Sequence, residues 1–247
     1  MKKSKAVDET KPQKPFIYQK DKLAAPLKIR EFPWSEKQEK FIALLEDKST
    51  KVVICKGPAG TAKTMLSVYT SLKALNSQKI GEIIYIRNPV ESSSFSLGFL
   101  KGGLEDKLAP YLQPLMDKLH ELISESDINR LIKEERIIGT PVGFLRGTTF
   151  NVNYVIVDEA QNLKYEDLLL IMTRLGKFSK LILCGDTMQS DIHSSAFESV
   201  FKLFNDECSL EKGIHTFEFG LEDIFRNEIL SYIIEKFSTL SKKTQKG

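Results

Sequence analysis

The chain has 247 residues, 41% apolar and 28% charged, with a formal net charge of +3 at pH 7. That length suits one α/β domain with or without a tail, buries enough core to need no disulfide or metal staple, and carries too little charge to argue by itself for nucleic acid. Cys55, Cys184 and Cys208 form no C-x-x-C pair, no apolar run reaches membrane-spanning length, and the Lys-rich start lacks a signal-peptide core, so the expectation is a reduced, cytoplasmic, non-membrane protein.

Residues 1–15 hold five lysines and two prolines and almost no large apolar side chain, and read as a disordered basic arm. Residues 16–34 carry Phe16, Ile17, Tyr18, Leu27, Ile29, Phe32 and Trp34 among prolines, as an extended segment packed on a domain edge would. A main domain over 35–240 follows, with a short disordered tail over 241–247. Ser35 is placed as the N-cap of a helix whose apolar side is Phe41, Ile42, Leu44 and Leu45. Residues 51–55, 82–87, 154–158, 180–186 and 215–219 read as strands, most of them continuously apolar. Helices are predicted over 63–75, 104–123, 127–133, 165–175, 194–204 and 227–240, with a loop over 140–149. Buried strands alternating with helices predict a mostly parallel sheet covered by helices on both faces.

The chemistry concentrates at strand ends. Gly57, Pro58, Ala59, Gly60, Thr61, Ala62, Lys63 and Thr64 stand between a strand and a helix, where a phosphate-binding loop must stand. Backbone N–H groups of such a loop point at phosphate oxygens and the helix N-terminus adds its dipole. Lys63 would reach the β- and γ-phosphates of ATP, and the Thr64 hydroxyl would ligate Mg2+. Ala62 replaces the second fixed glycine of the motif; if its φ must be positive, the side chain costs about 1 kcal/mol. Roughly a hundred residues on, Asp158 and Glu159 end a strand, as a magnesium-holding acid and a water-polarising acid would. Asp186 to Gln189 end another, with Gln189 placed to sense the γ-phosphate or to position water.

The segments GPAGTAKT, VDEAQN and GDTMQ resemble motifs I, II and III of superfamily-1 helicases, and the chain resembles PhoH-like ATPases more closely still. Arg87-Asn-Pro-Val, Leu97-Gly-Phe-Leu-Lys-Gly102, Phe144-Leu-Arg-Gly-Thr148, Thr173-Arg-Leu-Gly176 and Ile224-Phe-Arg226 occur in family order from about residue 35 to 240. The resemblance implies a RecA-like core, ATP binding, a link to RNA metabolism and homo-oligomers, with ring-shaped hexamers in the group. Where the family pattern leads one to expect histidine after Arg226, this chain has Asn227.

Five side chains carry two readings each. Arg226 and Arg174 read as arginine fingers or as surface arginines, with Arg226 favoured. Gln38 reads either as a glutamine facing the adenine edge or as an exposed helix residue. Arg87, with Arg146 and the 92–101 loop, lies where single-stranded nucleic acid crosses related sheets; Phe95 and Phe99 in that loop read as base-stacking residues or, somewhat favoured, as core or oligomer contacts. The histidines show no metal-ligand spacing. The leading function is ATP hydrolysis coupled to RNA or single-stranded DNA. An ATP-gated scaffold with slow turnover and a nucleoside kinase are the alternatives, the last weakened by the lack of a cysteine-rich zinc lasso.

Overall fold

The computed structural model describes residues 22–87, 104–186 and 196–224, with Ile229, Tyr232, Ile233 and Lys236, and of 104–111 the backbone only. Six strands form one sheet in the order β3-β2-β4-β5-β1-β6, every neighbouring pair parallel. They are β1 (Val52–Lys56), β2 (Glu82–Arg87), β3 (Ile137–Thr140), β4 (Asn153–Asp158), β5 (Lys180–Gly185) and β6 (Ile214–Glu218). The helices are α1 (Glu36–Glu46), α2 (Lys63–Asn76), α3 (Leu104–Leu122), α4 (Glu125–Lys133), α5 (Tyr165–Met172), α6 (Ala196–Leu203) and α7 (Glu207–Glu211). The expected α/β class, a RecA-like P-loop core, is the one observed.

The central strands are apolar throughout because both faces are covered. Val53, Tyr85, Ile156 and Ile182 project into one core with α1, α2, α3 and α4. Their strand neighbours Ile54, Ile84, Val155 and Leu181 project into the other, with α5 and α6. Cys55 and Cys184 are register partners on β1 and β5, both in the first core, where burial pushes the pKa of the Cys184 thiol up to about 12 and that of Cys55 upward too.

Two elements escaped the sequence pattern. Edge strand β3 is short and only half-buried, and at Gly139 it leaves room for Leu112, whose side chain a Cβ would meet at 1.9 Å. Helix α7 has five residues, organised by Asp206, which accepts from the Ser209 N–H at 2.9 Å. Helix α5 ends at Met172 rather than near 175, and most of the helix expected over 227–240 lies outside the described residues. No helix among the described residues is long and apolar enough to cross a membrane.

Residues 22–34 run without regular structure across α2 and α3. Leu27 is buried and its N–H donates to Asn76 Oδ1 at 2.8 Å, the Arg30 N–H donates to Leu122 O at 2.7 Å, and Tyr69 donates to Glu31 Oε2 at 2.5 Å. Ser35 then starts α1 with a reciprocal cap: the Gln38 N–H donates to Ser35 Oγ at 3.3 Å, and the Ser35 N–H donates to Gln38 Oε1 at 3.0 Å. At its other end α1 is tied to the sheet by Lys180, which donates to the carbonyls of Leu45 and Asp47. Since the cap satisfies two otherwise orphan N–H groups, Ser35→Ala is expected to lower stability by about 1 kcal/mol, read by urea denaturation, with an unchanged midpoint counting against it.

Candidate functional site

The C-terminal edge of the sheet carries a cleft of about 450 Å3, bounded by the β1–α2 loop, the ends of β2, β4 and β5, and residues 32–34. Three features of the loop follow from its residues. Gly57 has no room for a side chain, since a Cβ would sit 2.7 Å from Phe219 Cβ. Gly60 has φ 88°, and Ala62, the N-cap of α2, has φ 65° and ψ 18°. The position where glycine was missing does require the left-handed conformation, so the cost of about 1 kcal/mol expected for alanine applies. Lys63 folds back over the loop, donating to Gly57 O at 2.7 Å and Pro58 O at 2.9 Å.

Opposite the loop, β4 delivers Asp158 and Glu159. The Asp158 carboxylate is 8% exposed and both its oxygens are engaged. Thr64 donates to Oδ1 at 2.7 Å and Tyr85 donates to Oδ2 at 2.6 Å. Burial first, and the Asp158 charge second, push the Tyr85 phenol far upward, so it remains a donor at any physiological pH. Glu159 turns the chain at φ 54° and ψ 39°, another left-handed non-glycine residue, and caps the short turn Ala160–Asn162. Its Oε2 accepts from Gln161 Nε2 at 2.5 Å, and its Oε1 lies 3.8 Å from the Arg87 guanidinium. Gln161 is fully buried, and its Oε1 accepts from the Asp186 N–H at 2.9 Å, so one amide ties the ends of β4 and β5 together.

The structure therefore brings Lys63, Thr64, Asp158, Glu159 and Gln38 to one cleft. Gln38 is not the exposed helix residue that one reading allowed: it is 1% exposed, because it shares the inward stripe of α1 with Phe41, Ile42 and Leu45 at helical spacing. Arg174 is not in the cleft. It follows α5 at the opposite end of the strands, where its carbonyl accepts from the Phe150 N–H at 2.8 Å. Arg146 is exposed and outside the cleft, whereas Arg87 lines it. Gln189, Arg226, Phe95 and Phe99 lie outside the described residues.

Sequence reasoning assigned no role to Tyr85 or Gln161. The signal for Tyr85 was a phenol in an otherwise aliphatic strand, two residues before Arg87; for Gln161 it was an amide just past a pair of acids. Neither pattern names its partner without the sheet order. The donor set, a threonine hydroxyl beside a carboxylate at the mouth of a phosphate-binding loop, fits a magnesium ion carried in with a nucleotide. Mg2+ takes few protein oxygens and fills its shell with phosphate and water. Among the described residues no group of three or more His, Cys, Asp or Glu could hold a metal without that help.

Comparison with known proteins follows the same line. A family model described as PhoH-like protein matches residues 32–238. The PhoH-like protein of Bacillus subtilis (strain 168) is 36% identical over 200 residues, covering 81% of this chain and 61% of its own. Protein PhoH of Escherichia coli (strain K12) is 29% identical over 210 residues, covering 83% and 57%. The chain thus spans about three-fifths of the length of such curated relatives. Among solved structures, the large terminase from a thermophilic bacteriophage aligns at 13% identity and a TM-score of 0.44, over 78% of this chain and 47% of that one, too distant a likeness to bear on function. With the family model matching from Phe32 to Ser238, and the phosphate-binding loop and both carboxylates inside the match, this chain belongs to the PhoH-like protein family.

Proposed function

We propose that this chain binds ATP with magnesium, hydrolyses it, and couples turnover to binding or remodelling RNA or single-stranded DNA. The observation that carries the reading is the 2.7 Å contact between Thr64, in the first turn of α2, and Asp158, at the end of β4, with Glu159 as the next residue. Thr64 and Asp158 would hold the magnesium ion, which when bound offsets charge on the phosphate oxygens. Loop N–H groups over 59–62 would cradle the phosphates. The Lys63 ammonium exchanges the Gly57 and Pro58 carbonyls for β- and γ-phosphate oxygens. Glu159, steadied by Gln161, orients and polarises the attacking water. Gln38 stands at the end of the cleft framed by Phe32 and Trp34, where the adenine would lie.

Gln189 is assigned to sensing the γ-phosphate and Arg226 to stabilising the transferring phosphoryl group, both on their motif positions. Arg174 would serve that second role only in a neighbouring copy, since it sits at the far end of the strands from its own cleft. The coupling to nucleic acid, homo-oligomerisation, a hexameric ring and a cytoplasmic location rest on the family resemblance. A second reading, an ATP-gated binding protein with slow hydrolysis, is favoured by one observation, the left-handed Ala62 inside the phosphate loop.

Purified Lys63→Ala is expected to lose ATP binding and phosphate release together, and undiminished release would sink the mechanism. Glu159→Gln is expected to keep ATP binding while kcat falls by on the order of 100-fold or more. Running both assays with RNA and with single-stranded DNA tests the coupling, which indifference to both removes. Tyr85→Phe frees Asp158 Oδ2 and is expected to raise the magnesium concentration needed for half-maximal activity about 10-fold. An unchanged magnesium requirement would leave Tyr85 a packing residue only.

A further inference from the structure

Arg87 ends β2 directly opposite Asp158, its register partner on β4, and so rises from the sheet edge beside the two carboxylates. Its side chain is 26% exposed and lines the same cleft as Lys63 and Thr64. Its nearest anion is Glu159 Oε1, at 3.8 Å. That separation is long for a guanidinium–carboxylate hydrogen bond, and a pair open to cleft water is worth less than about 1 kcal/mol. Glu159 does not depend on it for position, because Gln161 holds the other oxygen at 2.5 Å. Apart from its hydrogen bond with the Tyr85 phenol, the arginine is held only by this weak pair, while the base beside it is firmly held. A terminal phosphate offers more charge and a better match to the planar guanidinium fork than one carboxylate oxygen does.

Resting on the ATP reading above, we propose that Arg87 is a phosphate-binding arginine acting within its own chain. With a nucleoside triphosphate in the cleft, its guanidinium moves from Glu159 to the terminal phosphate. A nucleoside diphosphate brings no terminal group within its reach, so the arginine stays on Glu159. Arg87 therefore distinguishes triphosphate from diphosphate. That role differs from the nucleic-acid contact expected for it from sequence.

The test is calorimetric titration of wild type, Arg87→Gln and Arg87→Lys with a non-hydrolysable ATP analogue and with ADP, both with magnesium, and separately with oligouridylate and oligo(dT). Wild type is expected to bind the analogue more tightly than ADP. Arg87→Gln should lose that preference by about 10-fold with its ADP affinity unchanged, which also shows that the variant folds. Arg87→Lys, which keeps the charge without the fork, should fall between the two. An unchanged analogue-to-ADP ratio, or an equal loss of both affinities, overturns the inference. So does an unchanged ratio with weakened oligonucleotide binding, which would place Arg87 on nucleic acid instead. Wild-type protein that binds ADP and the analogue equally overturns this inference alone, whereas wild-type protein that binds neither overturns the ATP reading and this with it.

Discussion

One buried carboxylate fixes the geometry of the whole cleft. Asp158 sits 8% exposed with a hydroxyl on each oxygen, Thr64 from α2 and Tyr85 from β2. A carboxylate out of water is tolerable only when its oxygens are satisfied, so its two donors cannot drift without a cost of the order of the desolvation it avoids. The constraint therefore runs outward: it sets the start of α2 against the end of β4 and holds β2 level with both. Sheet order does the rest. Strand β5 lies between β1 and β4, so the loop strand and the acid strand stand two strand spacings apart, roughly 10 Å. That gap is wide enough for phosphates and an ion yet narrow enough for Thr64 to reach across.

Two of the six described non-glycine residues at positive φ flank that gap. Ala62 and Glu159 both occupy the left-handed region, where a side chain costs on the order of 1 kcal/mol. Each is held there by backbone bonds that need the turn: Ala62 O accepts from the Leu66 N–H at 2.9 Å, and Glu159 O accepts from the Asn162 N–H at 3.0 Å. In Ala62 the turn starts α2 directly under the phosphate loop. In Glu159 it breaks the strand immediately after Asp158, so that two consecutive acids, which a continuing strand would send to opposite faces, both border the cleft. Strain at such places belongs to function and is carried by the two apolar cores that flank the sheet.

Four of the strands legible from sequence are buried on both faces and read as continuous apolar runs such as 154–157; the fifth, β6, is a half-buried edge strand. Ser35 was legible as a cap because its chemistry is local, and Lys63, Thr64, Asp158 and Glu159 because each follows a strand in a fixed motif. What failed to show were consequences of topology. Edge strand β3 buries too little to leave a pattern, and Gly139 interrupts it. Gln38 read equally as solvent-facing or cleft-facing until its place on the α1 stripe put it under the cleft. Tyr85 and the Arg87–Glu159 contact acquire meaning only once β2 is known to lie beside β4, and Gln161 once β5 is, which no local periodicity encodes. Arg174 looked like a site residue for the opposite reason, since distance along the chain says nothing about which end of the sheet a loop occupies.

Helix α2 finally explains why the two ends of the cleft act as one. Its 14 residues begin with Lys63 and Thr64 at the phosphate end and finish with Asn76, which grips Leu27 through both its amide groups. Between them Tyr69 holds Glu31 by hydrogen bond and packs against Trp34 at 5.3 Å between ring centroids. The segment that frames the proposed base end is therefore fastened along the helix that presents the phosphate-binding groups. A helix of that length transmits displacement as a nearly rigid rod of roughly 20 Å. On the ATP reading proposed above, the groups assigned to the phosphates and the segment assigned to the base are thus fastened to the same helix.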